Sequence, residues 1–204
     1  EAKACRKNQA KRLFSLKSAR LTIILPCSAV FEGTEKGKFM NIMIIGASKG
    51  LGRALVEGVG GAGDTVIGVS RQRPHDIRSL NGATIGWIEA DMSHPVQAVN
   101  TLAASAPHAI DVLIYNLGIW EAQAFSDAYN FLNDSDDSLQ QLVEVNITAT
   151  LLALKRLMPN VLRSDKVQVI LTGSTSALRQ SGRPEVAFGA SKFALSGMAD
   201  ALRE

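Results

Sequence analysis

From Met40 onward, short apolar runs alternate with longer stretches in which apolar positions recur every third or fourth residue. Runs of the first kind, Ile42–Ile45, Thr65–Val69, Ile85–Glu89, Asp111–Tyr115 and Val167–Leu171, are too short and too continuously apolar for surface helices and predict buried strands. Between them, Leu51, Ala54, Leu55 and Val59 form a helical stripe closed by Gly60 and Gly61, and Pro95 suits the first turn of a helix running through Val96, Val99, Leu102 and Ala103. A longer helix is predicted from about Ser138 to Leu157, ending near Pro159, and a last one begins near Phe188. Strands alternating with helices predict a Rossmann-like, doubly wound parallel sheet in a three-layer α/β/α arrangement, with strand order 3-2-1-4-5 counted from the Ile42 strand. Connections are short except for the polar stretch Glu121–Asp137, and loops of that length in compact α/β domains are often functional.

Composition narrows the class. With 204 residues, 46% hydrophobic and 20% charged, the chain can bury one sizeable core, and no apolar run approaches the roughly 18 residues of a membrane span. The net charge of +3 is unevenly placed. Residues 1–39 hold nine Lys or Arg against three Asp or Glu, so the body at 40–204 is mildly acidic and nucleic acid is a poor partner for it. Both cysteines, Cys5 and Cys27, lie in the same leader, which leaves the body no disulfide framework or cysteine nucleophile, and no cluster of metal ligands is seen. The apolar run Leu21-Thr22-Ile23-Ile24-Leu25 is shorter than the roughly 7–15 residues of a signal-peptide core, and no small-x-small cleavage site follows it. The expectation is a disordered leader at 1–39, irrelevant to chemistry, ahead of a cytoplasmic domain at 40–204 that opens at Met40.

After the first body strand the chain reads Gly46-Ala47-Ser48-Lys49-Gly50-Leu51-Gly52 and enters a helix. Glycines let backbone N–H groups approach a pyrophosphate without an intervening Cβ, and the positive end of the helix stabilises its charge. Here the chain resembles the short-chain dehydrogenase/reductase family, whose fingerprint is this GxxxGxG turn. Asp91 in Ala90-Asp91-Met92 matches the family's adenine-contacting acid. Asn116 and Gly118 resemble its Asn-Ala-Gly element, with Leu117 in place of alanine, and Asn146 matches the asparagine of the next long helix. The resemblance covers 41–204 and implies a NAD(P)-binding oxidoreductase acting on a small carbonyl or alcohol. It also implies a domain truncated at its C-terminal end, since the family's final strands and substrate-covering helices have no counterpart here. Self-association through the long helices is compatible with the family pattern, in an order that nothing in the residues fixes.

The cofactor set expected on this basis is Gly46, Ser48, Lys49, Gly50, Leu51, Gly52, Arg71, Asp91, Met92, Asn116, Gly118 and Lys192. No carboxylate follows the second body strand, where Ser70-Arg71 stands, and Lys49 lies in the glycine turn, so NADP(H) is preferred over NAD(H).

The family resemblance implies a catalytic Ser, Tyr and Lys helped by an Asn. A phenol deprotonates near ~10, so a neighbouring ammonium is needed to make its anion accessible at neutral pH. Helical i, i+4 spacing supplies that ammonium. In Phe188-Gly189-Ala190-Ser191-Lys192 the lysine is present and the tyrosine position holds Phe188. Ser174, fourteen residues earlier, matches the substrate-polarising serine, with Thr175 or Ser176 as alternates. The catalytic set is therefore Ser174, Lys192, Asn146 and the Phe188 position, with Tyr129 of the long loop or a held water as substitute proton donors. Tyr115 is expected in the sheet core, and His75, His94 and His108 on the surface. The alternative is a non-catalytic NADP(H)-binding regulatory or scaffolding protein.

Overall fold

The computed structural model describes residues 20–24 and 39–203. The strands are β1 (Arg20–Ile24), β2 (Asn41–Ile45), β3 (Thr65–Ser70), β4 (Thr84–Glu89), β5 (Val112–Tyr115) and β6 (Gln168–Thr172). All pair in parallel in the order β1-β6-β5-β2-β3-β4. The five body strands thus have the 3-2-1-4-5 order expected.

The sixth strand departs from that reading, which left residues 1–39 outside the fold. Arg20–Ile24 pairs along Gln168–Thr172 from Arg20↔Gln168 to Ile24↔Thr172. A parallel edge strand presents a row of unpaired N–H and C=O groups, and a short segment rich in branched apolar residues fits that ladder. The rest of the leader, including both cysteines, lies outside the described residues.

Strand side chains sort by parity onto two apolar layers. Met43, Ile45, Val69, Leu113, Tyr115, Val169 and Leu171 face one cluster; Ile42, Ile44, Val66, Val112, Ile114 and Ile170 face the other. Burial on both sides is why these strands read as unbroken apolar runs. The first layer is covered by α2 (Pro95–Ser105), α4 (Ala149–Val161) and α5 (Val186–Ala201), and the second by α1 (Gly50–Gly58). Tyr115 is buried as expected, and burial pushes its phenol well up.

The two expected helical stripes are met in part. Val99 and Leu102 of α2 are buried and Leu55 and Val59 of α1 pack against the core, whereas Leu51 and Val96 are 49% and 64% exposed and Ala54 and Ala103 also face outward. Gly52 and Val56 of α1 and Ala98 of α2 are the further buried positions. The long helix is also not one α-helix. It comprises α3 (Asp136–Val143), a π segment at Glu144–Thr148 and α4, which carries Pro159 within its last turn. A proline there removes a single N–H near the helix end, so the helix reaches Val161.

Candidate active site

The glycine turn starts at the C-terminal end of β2, where the N–H groups of Gly46 and Ala47 both donate to Val69 O at 3.0 and 3.1 Å. Gly46 (φ +87°) and Gly50 (φ +56°) adopt backbone that L side chains rarely take. A Cβ at Gly46 would lie 2.8 Å from Leu117 N, and one at Gly52 would lie 2.0 Å from Gly46 O. Around Gly50, by contrast, the space is open to 4 Å. Lys49 gives α1 no side-chain cap and its first turn holds no acid, so no side chain of its own caps or opposes an anion at this helix start.

Ser48, Lys49, Leu51 and Arg71 are exposed along this edge, and Met92 is buried beneath it. Asp91 accepts from Ser93 N–H and Oγ at 3.0 and 2.8 Å. Its carboxyl is held below the ordinary range, first by the Ser93 N–H and more weakly by the nearby charge of Arg71.

At the neighbouring strand ends Asn116 Nδ2 donates to Gly46 O at 3.4 Å, tying β5 to the glycine turn. Asn146, in the π segment, clamps Ile119 from both sides: its Oδ1 accepts from Ile119 N at 2.8 Å and its Nδ2 donates to Ile119 O at 2.7 Å. Nδ2 also donates to Ser191 Oγ at 2.9 Å, and that hydroxyl donates to Phe188 O at 2.8 Å. Single π turns occur often at functional sites, and this one turns Asn146 between β5 and α5.

Lys192 lies under Gly118, where a Cβ would come 2.9 Å from its Nζ. It donates to Thr172 O at 3.1 Å and Leu117 O at 3.4 Å, at the ends of β6 and β5. Burial pushes its ammonium down to about 8. The Phe188 ring is buried one helical turn away, its centroid 5.9 Å from Nζ. Ser174 caps the 3-10 turn Thr175–Ala177, its Oγ accepting from Ser176 N at 3.1 Å, and Gly189 brings α5 close to that turn.

The first turn of α5 is held by residues that the sequence reading missed. Glu121, fully buried, accepts through Oε1 from the N–H groups of Ala187 (2.9 Å) and Phe188 (3.0 Å). Buried Glu185 accepts from Phe125 N at 2.8 Å and holds it at φ +64°. The far oxygens of both carboxylates lack a hydrogen-bond partner among the described residues. Tyr129, considered above as a substitute donor, has its hydroxyl on this turn: it accepts from Val186 N at 3.3 Å and donates to Asp134 Oδ2 at 3.2 Å. Burial pushes its phenol up. All three histidines are exposed, and among the described residues no group of His, Cys, Asp and Glu could hold a metal ion.

A parallel sheet with a glycine turn between β2 and α1, and a buried lysine on the helix after β6, defines a Rossmann-like α/β protein. The chain belongs to the short chain dehydrogenase family, whose model matches residues 40–204. It is 28% identical over 174 residues to the uncharacterized oxidoreductase YciK of Escherichia coli, covering 80% of this chain and 66% of that one. It is 26% identical over 176 residues to the 3-dehydrosphinganine reductase TSC10B of Arabidopsis thaliana, covering 82% and 50%. The solved YciK structure from E. coli superposes with a TM-score of 0.62 at 26% identity, covering 78% of this chain and 67% of that one. The NADH-dependent reductase A1-R', solved with NAD, superposes at 0.64 with 22% identity over 79% and 70% of the two chains, a likeness of fold. The chain spans about half to two thirds of the length of the curated relatives named here.

Proposed function

We propose that residues 40–204 are the NAD(P)-binding domain of a cytoplasmic oxidoreductase that interconverts a small carbonyl and its alcohol, with NADP(H) preferred over NAD(H). Support for the cofactor comes from the cradle itself: Gly46 and Gly52 leave no room for a Cβ, Gly50 borders open space, and the first turn of α1 has no side-chain cap. Exposed Lys49 and Arg71, with no carboxylate after β3, support the 2′-phosphate, which an arginine can grip with two hydrogen bonds. Asp91 and Met92 would border the adenine, and Asn116, Gly118 and Lys192 the far end of the dinucleotide. A bound reduced nicotinamide supplies a hydride. Ser174 would polarise the substrate oxygen, and Asn146 keeps the Gly118–Glu121 segment and α5 in register. Names of relatives, an oxidoreductase and a 3-dehydrosphinganine reductase, support the reaction class.

The observation that carries this reading is Lys192, a buried cation held at the ends of β5 and β6. A buried ammonium is costly, and groups held at such a cost cluster at functional sites. Calorimetric titration with NADPH and NADH, followed by single-turnover NADPH oxidation against aldehydes, ketones and quinones, tests it. Tighter NADPH binding with turnover of one carbonyl class is expected, and failure of either dinucleotide to bind would overturn it. Phe188 favours a second reading, a non-catalytic NADP(H) binder, which predicts bound NADPH that no carbonyl oxidises.

A further inference from the structure

Three rings meet beside Lys192. The centroids of Trp120, Phe125 and Phe188 are 5.7–6.1 Å apart and every pair is edge-on, at 73–87°, so they form an apolar corner. Phe188 is its buried floor, 6% exposed, while Trp120 and Phe125 stand 54% and 51% exposed. The corner is built at a cost. Phe125 occupies left-handed backbone, which a bulky residue keeps only when its surroundings impose it, and buried Glu185 imposes it through the Phe125 N–H. Trp120 follows Ile119, the residue Asn146 clamps.

Chemistry limits what such a corner can serve. Reduction of a saturated ketone makes an alkoxide, at least as basic as hydroxide, so a proton must be delivered as it forms. Phe188 has none to give. A quinone yields instead a phenolate-type anion whose acid ionises near ~10. Such an anion can form without a proton donor, near a cation such as Lys192.

Resting on the oxidoreductase reading above, we infer that the Trp120–Phe125–Phe188 corner selects a flat conjugated dicarbonyl, of the quinone class, as the substrate. Hydride equivalent passes from the reduced dihydropyridine to the quinone; the dihydropyridine is oxidised to pyridinium, the quinone is reduced to hydroquinone monoanion, and water then supplies one proton to complete the hydroquinone. Burial that lowers Lys192 does not remove its charge at neutral pH, and two carbonyls engage it, leaving one of three donors for an oxyanion.

The test uses the full chain with 2,3-dimethyl-1,4-naphthoquinone and 1-decalone, a saturated ketone of similar size. Titrated calorimetrically without nicotinamide, the quinone should bind at least tenfold more tightly. Phe125→Gly, which suits the positive φ and so spares the fold, should remove most of that preference. With NADPH, quinone turnover should exceed decalone turnover at least a hundredfold, and Phe188→Tyr should raise decalone turnover at least tenfold, narrowing that ratio at least threefold. Equal binding of the two probes, a preference that survives Phe125→Gly, or an equal gain for both substrates in Phe188→Tyr would overturn the inference. NADPH that does not bind would overturn the oxidoreductase reading as well, whereas NADPH that binds beside indifferent probes would overturn this inference alone.

Discussion

Lys192 Nζ lies 5.9 Å from the centroid of the Phe188 ring, one helical turn away on α5. In the family pattern that position carries a phenol, and the lysine's charge serves to ionise it. With a phenyl ring there, the ammonium meets, among the described residues, the weak quadrupole of an aromatic face and the two carbonyls at the strand ends. A site organised around a buried cation thus keeps its charge and lacks the acid that the charge would tune.

That burial sets a pH signature. Lys192 ionises near 10.5 when unfolded and is pushed down to about 8 when folded. Between those values the unfolded chain binds a proton that the native chain does not, so stability rises with pH across this window and its deficit is complete below about 8. The contribution is about 3 kcal/mol for a shift of this size. Chemical denaturation of the wild type and Lys192→Met across the window should show the wild type gaining on the variant as pH rises. A constant difference would mean that the lysine is not desolvated.

The two glycines that flank Leu51 should respond differently to a methyl group. At Gly52 an added Cβ meets Gly46 O at 2.0 Å and Asn116 Nδ2 at 2.8 Å, so Gly52→Ala must displace backbone and should cost about 3 kcal/mol in urea denaturation, with NADPH binding lost. Gly50→Ala meets open space and carries only the strain of φ +56°, about 1 kcal/mol. Equal costs would show that the turn is not packed as described.

The proposed preference for NADP(H) rests on Arg71. Arg71→Asp removes a phosphate partner and places a carboxylate near the 2′-phosphate while offering the 2′-hydroxyl an acceptor. Calorimetry should find NADPH bound more tightly than NADH by the wild type, and the order reversed in the variant, a swing of more than about 1.4 kcal/mol, tenfold in relative affinity. Equal affinities in the wild type would release Arg71 from this role.

What could be read in the sequence was what is local. Ile42–Ile45 announces a strand because every side chain in it is buried, and Gly46, Gly50 and Gly52 announce a turn because the three fall within seven residues directly after it. The rest depends on partners distant in sequence. Glu121 sits in a polar stretch that reads as solvated loop, yet its hydrogen bonds reach Ala187 and Phe188 across more than sixty residues. Arg20–Ile24 becomes a strand only because β6 presents an edge to it. The π segment leaves no trace in side-chain periodicity, and Phe125 adopts backbone that its own propensity opposes. An acid at the head of a long loop, followed far downstream by a helix whose first turn lacks acids of its own, is the signal that could have located Glu121.

Glu121 should therefore be a strong support of α5 from outside that helix. One carboxylate oxygen accepts from two successive N–H groups in the first turn of α5, where the helix has no side-chain cap of its own. The negative charge also lies at the positive end of the helix dipole. Removing it leaves one buried and one part-buried donor without this partner, so Glu121→Ala should cost about 3 kcal/mol in denaturation, more than an exposed cap would. Glu121→Gln keeps the accepting oxygen and gives up only the charge, and its loss should stay near 1 kcal/mol. Hydrogen exchange at the Ala187 and Phe188 amides separates this local effect from general destabilisation: their protection should collapse in the alanine variant while the β2 and β5 amides remain slow. If the two amides stay protected without Glu121, some other group caps the helix.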